Sequence, residues 1–429
     1  MILYTLGLSF WALITGTQRF FSKDRDHIIR RLKLSELKKI SDHEEKKGLR
    51  FLIHAVSVGE AKAILPLYQH LKKTYKNSYF AITSATRTGH EAAKRLLKDA
   101  DLYTVFPIDF KRSVKTLLNH TKPDVIILSE GDLWLNFLTE AKNRGSHIFI
   151  ASAKLSDRSL NRMKKVPFYT QKLLSNIDGI AAQSKVYADK FKELGVSTNK
   201  LFVTGNLKYD EPFYPRGHLR QDIGISRGDK VIVVGSTHEP EEALILNELL
   251  PLIKQDPKLR LIFVPRRPER WPHVESLLKG TKCSFSLISR LIKKKSKKPL
   301  PQLIMVDQMG LLCDLYTIAD ISIVAGSYTS KVGGHNIFEP LFAQSALIFG
   351  PYMHSQLPMR EKVLNANAGL EVKIDSLQNE VKKLIEDPKA RKALVSRGEA
   401  LVKEGQGSAK ETLKVLKAFL AKTKLQQAT

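Results

Sequence analysis

Two glutamates stand just beyond apolar runs of strand-like length: Glu60, in SVGE after FLIHAV (51–56), and Glu130, in SEGDLW after DVIILS. A carboxylate at the C-terminal end of a strand can face a ligand crevice and take a proton from a substrate hydroxyl, which is general-base chemistry. Gly59 permits a tight turn into the next helix, and Glu60 lands in the first helical turn. The helix dipole favours a negative charge there by about 0.3–1 kcal/mol. Two readings therefore stand for Glu60: a helix-start acid with no further duty, or a general base. The dipole argues for a low pKa, so a base at this position would work through its placement and its neighbours. The pairing of Glu60 with Glu130 is a weak signal by itself, because any α/β chain offers several strand-end acids.

A second set of residues is suited to anions. GSTHEPEE (235–242) places Gly, Ser and Thr between a strand and a helix, where backbone N–H groups and hydroxyls can hold a phosphate. AGSYTSKVGGHNIFEP (325–340) ends a strand at Gly326 and continues as a Gly-rich loop. Gly333 and Gly334 permit close ligand approach there. A helix is expected from about Asn336, with Glu339 one turn in, giving N–H donors for a phosphate and a carboxylate for sugar hydroxyls. PRRPER (265–270) supplies guanidiniums; Arg266 could pair bidentately with a phosphate or carboxylate. Arg267 and Arg270 read as solvated surface. The Walker pattern GxxxxGK[ST] is absent, and His238-Glu239 lacks the second histidine of HExxH. No metal site is expected.

These loops need rigid elements behind them. FLIHAV, SYFAITSA (78–85), DLYTVFP, DVIILSE, HIFIAS and DGIAAQS (178–184) read as strands. Helices Glu60 to Lys73 and His90 to Lys98 lie among them, after a polar helical stretch from Leu32 to Lys47. A second series runs KVIVVGS (230–236), helix Glu241 to Lys254, LRLIFVP (259–265), LIMVD, ISIVAGS and ALIFGP. Continuous apolar strands alternating with helices imply parallel sheets covered on both faces. YDEPFYPRG (209–217), rich in Pro and Gly, reads as the hinge, and KKKSKK (293–298) as an exposed loop. The expected fold is α/β, with two doubly wound Rossmann-like domains facing a cleft.

At 429 residues the chain has room for two or three domains. Hydrophobic content of 43% and charged content of 26% exclude a disordered, collagen-like or polytopic membrane protein. The formal charge of +27 points to polyanionic partners: nucleic acid, anionic lipid or a phosphorylated substrate. Two cysteines, Cys283 and Cys313, with no CxxC, fit a reducing compartment. MILYTLGLSFWALITG (1–16) is uncharged and is followed by Arg19, Lys23, Arg25, Arg30, Arg31 and Lys33. As a helix it would span about 24 Å, short of the ~30 Å hydrocarbon core. It reads as a membrane anchor, a short span or an interfacial helix with Trp11 and Phe20 near the headgroups. The basic flank would keep the body cytoplasmic. A buried N-terminal helix is the other reading.

In chain order, HAVSVGE, TSATRTG, EGDLW, AKLSDRS, GNLKYD, GSTHEPEE, PRRPER, MGLLCDLYTIAD and GSYTSKVGGHNIFEP resemble the blocks of the Kdo transferases of lipopolysaccharide synthesis. The resemblance covers about residues 50 to 355. Members of that family are membrane-associated glycosyltransferases of the GT-B fold. They move 3-deoxy-D-manno-octulosonic acid (Kdo) from CMP-Kdo onto a lipid A precursor. The resemblance implies that Glu60 is the general base and Glu130 a second essential acid. It further implies that Asn206, Lys208, Ser236, Thr237, His238, Arg266, Gly333, Gly334, His335, Asn336 and Glu339 hold CMP-Kdo, without a metal or other cofactor. It implies an anchor at 1–20, an acceptor-binding domain at 21–210 and a CMP-Kdo-binding domain at 211–429, the last including the C-terminal helix. The enzyme would sit on the cytoplasmic side of the inner membrane, against its anionic surface. Departures occur where the family's ETELWPN reads EGDLWLN, NARLSERS reads SAKLSDRS, and PRH reads PRR, with Arg267 in the histidine's place. The first two bear on acceptor contacts and the last on one donor contact. Two rival functions are a GT-B enzyme using a UDP-sugar and a membrane-tethered basic nucleic-acid-binding protein. The second would show a steep salt dependence, but no nucleic-acid recognition motif is present and aromatic residues are sparse among the basic ones.

Overall fold

Strands apolar along their whole length can be satisfied only by a sheet with helices on both faces. The computed structural model describes residues 25–34, 37, 48–211, 213, 217–294 and 300–422, and in these the chain forms two units, each built on such a sheet. The first unit comprises Met1–Pro212 and Gly405–Thr429; the second is Phe213–Glu404.

In the first unit the strands are β1 (Arg50–His54), β2 (Tyr79–Ser84), β3 (Leu102–Val105), β4 (Val125–Ser129), β5 (His147–Ala153), β6 (Gly179–Ala182) and β7 (Leu201–Val203). All pair in parallel in the order β3-β2-β1-β4-β5-β6-β7. Every residue of β2 and β4 is buried. Chain order reverses between β1 and β4, and the mouth of a doubly wound sheet at such a reversal is where ligands bind. Glu60 and Glu130 follow these two strands.

The second unit repeats the plan with β8 (Lys230–Thr237), β9 (Leu259–Pro265), β10 (Phe285–Leu287), β11 (Leu303–Met305), β12 (Ile321–Val324), β13 (Ala346–Phe349) and β14 (Leu370–Glu371). The order is β10-β11-β9-β8-β12-β13-β14, all parallel. Its reversal lies between β8 and β12, the strands that lead into GSTH and GSYTSKVGGHN. Each unit thus carries its polar motifs at its own switch point.

Several expectations need revision. The helix expected from Glu60 begins at Val58, with Ser57 as N-cap. The helix expected from His90 begins at Arg87, capped by Thr86. Of the stretch Leu32 to Lys47, the described part is the end of the helix Arg25–Lys33 plus Leu34 and Leu37, both fully buried in the first unit's core. Strands β7, β10 and β14 went unread because two- or three-residue edge strands carry no usable periodicity.

The C-terminal helix Ser408–Lys422 belongs to the first unit, not to the second as expected from sequence. Ala409, Leu416 and Leu420 pack in one core with Phe51, Ile64, Leu71 and Phe149. Asp210 accepts from the N–H groups of Gly407 and Ala409, both at 2.6 Å, which fastens the start of that helix. The apolar run 1–16 and most of KKKSKK lie outside the described residues. Among the described residues no helix is long and apolar enough to cross a membrane.

Candidate active site

Glu60 enters the site through a helix start of capping-box type. The Ser57 hydroxyl accepts from the Glu60 N–H at 3.4 Å, and Glu60 Oε2 reaches back to accept from the Val56 N–H at 2.8 Å. Burial dominates the carboxyl's titration and raises it to about 7, against the Val56 N–H, which lowers it. The neighbouring negative charges of Glu130 and Asp132 raise it further, and Lys154 opposes them. The low pKa expected from the helix dipole is therefore wrong. A dipole effect of under 1 kcal/mol is outweighed by desolvation of a carboxylate.

Glu130 is its opposite. It is 9% exposed and sits at φ +60°, a left-handed conformation uncommon for a non-glycine residue. Its N–H donates to the Ala151 carbonyl at 2.9 Å, and its own carbonyl accepts from the Lys154 N–H at 3.2 Å. The side chain pairs with the ammonium groups of Lys154 and, at 3.0 Å, of Lys208. Burial alone would raise this carboxyl, but Lys208 and Lys154 together outweigh it and hold Glu130 below the usual carboxylate range. Lys208 reaches it from a short 3-10 turn, Leu207–Asp210, where Asn206 Oδ1 accepts the Lys208 N–H at 3.0 Å. Lys208 thus joins the acid cluster of the first unit, on a turn that Asn206 shapes.

A third acid, Asp132, was not singled out in the sequence. Its Oδ2 accepts from His54 Nε2 at 3.2 Å and from Trp134 Nε1 at 2.8 Å. His54 is fully buried at the end of β1, with Nδ1 3.0 Å from Thr83 Oγ1 and its ring against Phe106. Burial pushes Asp132 up, but the hydrogen bonds and the His54 charge prevail and keep it ionised.

In the second unit Ser236 occupies a bulge in β8 at φ +60°, and Thr237 Oγ1 donates to Glu242 at 3.3 Å. His238 and His335 meet edge to edge, Nε2 to Nε2 at 2.8 Å, with their rings near parallel. Such a contact holds one proton between the two nitrogens, so the pair cannot be doubly protonated there. Burial, then His238 and Arg266, depress His335 to about 4; burial and Arg267 lower His238 as well. Arg266 is exposed, with its N–H on the Thr237 carbonyl at 3.1 Å. Arg270 is not free surface as expected: it pairs with Glu239 at 2.9 Å and with the buried Glu242 at 3.2 Å.

Gly326, Gly333 and Gly334 all have positive φ, and the Gly334 N–H closes the loop on the Gly326 carbonyl at 2.8 Å. A Cβ on Gly333 would stand 2.4 Å from His354 Nε2, and one on Gly334 2.2 Å from Met353 Sδ. The helix expected from Asn336 begins at Phe338 and ends at Phe342, with Glu339 in its first turn. Asn336 Oδ1 takes the Phe338 N–H at 3.0 Å.

The structure therefore gathers Glu60, Glu130 and Lys208 in the first unit. It places Ser236, Thr237, His238, His335, Asn336 and the Gly333-Gly334 corner on the two loops after β8 and β12 of the second. Lys154, His54, Asp132 and Glu241 were missed, although each lies inside or beside a motif already noted: AKLSDRS, FLIHAV, EGDLW and GSTHEPEE. Among the described residues no group of three or more His, Cys, Asp or Glu could hold a metal ion.

Solved structures with this architecture include UDP-GlcNAc 2-epimerase from Neisseria meningitidis, with a TM-score of 0.59 at 15% identity, covering 87% of this chain and 100% of the other. A glycosyltransferase from Rickettsia africae gives 0.59 at 15% identity, covering 87% and 99%. At such identities the likeness speaks for the fold, which is that of two parallel-sheet α/β units of the GT-B type. Sequence comparison is more specific. Residues 27–211 match the family model described as 3-deoxy-D-manno-octulosonic-acid transferase (kdotransferase). The 3-deoxy-D-manno-octulosonic acid transferase of Chlamydia trachomatis serovar A is 32% identical over 378 residues, 87% of this chain and 86% of the relative. That of Haemophilus influenzae is 33% identical over 379 residues, 86% of each. The chain belongs to the Kdo transferase family and is a glycosyltransferase acting on that sugar in lipopolysaccharide biosynthesis. This sets aside the nucleic-acid-binding and UDP-sugar readings.

Proposed function

We propose that the chain transfers Kdo from CMP-Kdo to a lipid A precursor, with inversion at the anomeric carbon, on the cytoplasmic side of the inner membrane. The observation that carries this reading is Glu60, a carboxyl at the mouth of its sheet and raised to about 7. Near neutral pH about half of it is ionised, and that form is basic enough to take a hydroxyl proton. As the acceptor oxygen bonds to the anomeric carbon, Glu60 receives the hydroxyl proton. The bond from that carbon to the phosphate oxygen breaks, and CMP departs with the electron pair. Glu130, ionised and bound to two lysines, keeps their ammonium groups in place. Lys154, the more exposed of the two, is available to an acceptor phosphate.

In this reading Ser236, Thr237, His238, Arg266, Gly333, Gly334, His335 and Asn336 hold the nucleotide phosphate and the Kdo carboxylate, and Glu339 serves the ribose hydroxyls. Preorganised donors of this kind are commonly worth about 2.7–4 kcal/mol each at a developing anion. Cationic and N–H groups can neutralise the departing phosphate, so no divalent metal is required. Residues 1–16 supply the anchor, and the net charge of +27 suits a phosphorylated acceptor and an anionic leaflet.

The test is incubation of the full chain with CMP-Kdo and tetraacyl lipid A, followed by mass analysis of the product. Glu60→Ala should abolish transfer while CMP still binds; wild-type turnover in that variant ends the base assignment. Activity surviving EDTA supports the metal-free scheme, and loss that Mg²⁺ restores overturns it.

A further inference from the structure

Glu241 is a fully buried carboxylate to which none of the roles above has been given. It is the first residue of the helix Glu241–Gln255, yet it does not face water as a helix-start acid would. Its Oε1 accepts from the Tyr328 N–H at 2.7 Å. Its Oε2 accepts from the Gly326 N–H at 2.7 Å and from the His238 N–H at 3.1 Å. One oxygen atom thus joins the loop after β8 to the loop after β12. The His238 carbonyl returns a bond from the Glu241 N–H at 2.8 Å, closing the first loop on the helix.

The second loop is closed on the same point. Gly326 accepts from Gly334, the residue before His335, and has no Cβ where the His335 ring lies; one built there would be 2.6 Å from His335 Cδ2. The 2.8 Å approach of the two imidazoles is therefore set by backbone positions that converge on the Glu241 carboxylate. Three N–H donors aimed at one buried acceptor require a carboxylate, since an amide in its place would turn an N–H toward an N–H.

We infer that Glu241 is a positioning residue: it fixes the spacing of His238 and His335, and with it the cradle for the anionic groups of the donor. The inference deepens the donor-site reading given above and rests on it for the second of its two readouts.

The test uses the full chain and Glu241→Gln, which keeps size and shape. The first readout is the side-chain nitrogen spectrum of His238 and His335, assigned through His238→Gln and His335→Gln. The coupled pair of the wild type should separate in Glu241→Gln, with both rings titrating closer to an ordinary histidine. The second readout is CMP affinity, which should fall about tenfold or more in Glu241→Gln protein that still unfolds cooperatively, at a temperature somewhat below wild type. An imidazole pair unchanged in Glu241→Gln overturns the inference. A pair that separates with CMP affinity unchanged upholds the positioning role and removes these loops from the donor site. Should Glu241→Gln fail to fold, Glu241→Asp keeps the charge but is one methylene too short to serve all three amides. It should shift the pair in the same direction, and an unshifted pair there overturns the inference equally.

Discussion

Glu60 and Glu130 leave β1 and β4, neighbours in one sheet, yet their carboxyls are driven in opposite directions. Glu60 rises to about 7 by burial, and Glu130 is held down by two lysines. Two acids whose surroundings separate their pKa values can divide the work of proton acceptor and fixed charge.

The pH dependence of transfer should follow. The rate should rise with pH through an acid limb near 7, as Glu60 loses its proton. Asp132 helps to hold Glu60 up, so Asp132→Asn should move that limb to lower pH. A pH–rate profile of wild type and variant checks this; an unmoved or upward-shifted limb refutes it.

A raised carboxyl also bears on stability. The folded state holds the Glu60 proton more tightly than the unfolded chain does. Stability is therefore lost as pH rises from about 4.5 toward 7, and the penalty is complete above that. Glu60→Gln keeps an acceptor for the Val56 N–H but carries no charge. It should stabilise the protein at pH 8 by on the order of 1–3 kcal/mol and leave stability near pH 4 little changed. Denaturant melts at both pH values measure this.

Glu130 behaves with the reverse sign. Its depressed pKa contributes stability that is present above the unfolded value of 4.5 and lost as pH falls through the folded one. Lys208→Met, which leaves a buried carboxylate short of a partner, should cost about 1–3 kcal/mol at neutral pH. Lys154→Met should cost less, since Lys154 is 46% exposed against 27% for Lys208. Acid titration of the double variant should show a flatter loss of stability than wild type.

The imidazole pair gives a calorimetric prediction. His335 stands near 4 when free of ligand, so an anion bound beside it should raise its pKa and draw in a proton. CMP binding should be accompanied by greater proton uptake in wild type than in His335→Gln, and should tighten as pH falls toward 6. Titration in buffers of differing ionisation heat reads the difference, and equal uptake in both proteins contradicts it.

Backbone strain supplies the last. Gly334→Ala places a Cβ at φ +87° against Met353 and should cost about 1–3 kcal/mol. CMP affinity should fall in the same variant, read by titration beside a thermal melt.

Much of this frame was legible in the chain. Runs such as VIILS and KVIVVGS can be satisfied only between two layers of helices, so the parallel sheets follow from apolar length. Strand-end placement likewise picked out Glu60, Glu130 and the loops after β8 and β12. What escaped depends on partners distant in sequence. The pKa of Glu60 is set by burial and by Asp132 and Glu130, whereas its local sequence shows only a helix start. Lys154 and Lys208 reach Glu130 from just past β5 and from beyond β7, and neither spacing suggests it. Glu241 reads as one more acid in HEPEE until the amides of Gly326 and Tyr328 are seen around it. The amphipathic helix Ser408–Lys422 shows the same apolar stripe whichever unit it covers.

That last helix has a consequence for how the chain is made. Because Gly405–Thr429 completes the first unit, the second is nested within it, between Pro212 and Gly405. During synthesis the first sheet emerges early but waits, its apolar face only partly covered around Phe149, until the helix Ser408–Lys422 leaves the ribosome. The inserted body can close meanwhile. A single cut at the hinge would leave one half lacking part of its cover and burden the other with an orphaned apolar segment; splicing residue 212 directly to Gly405, with 213–404 made as a separate chain, would spare both.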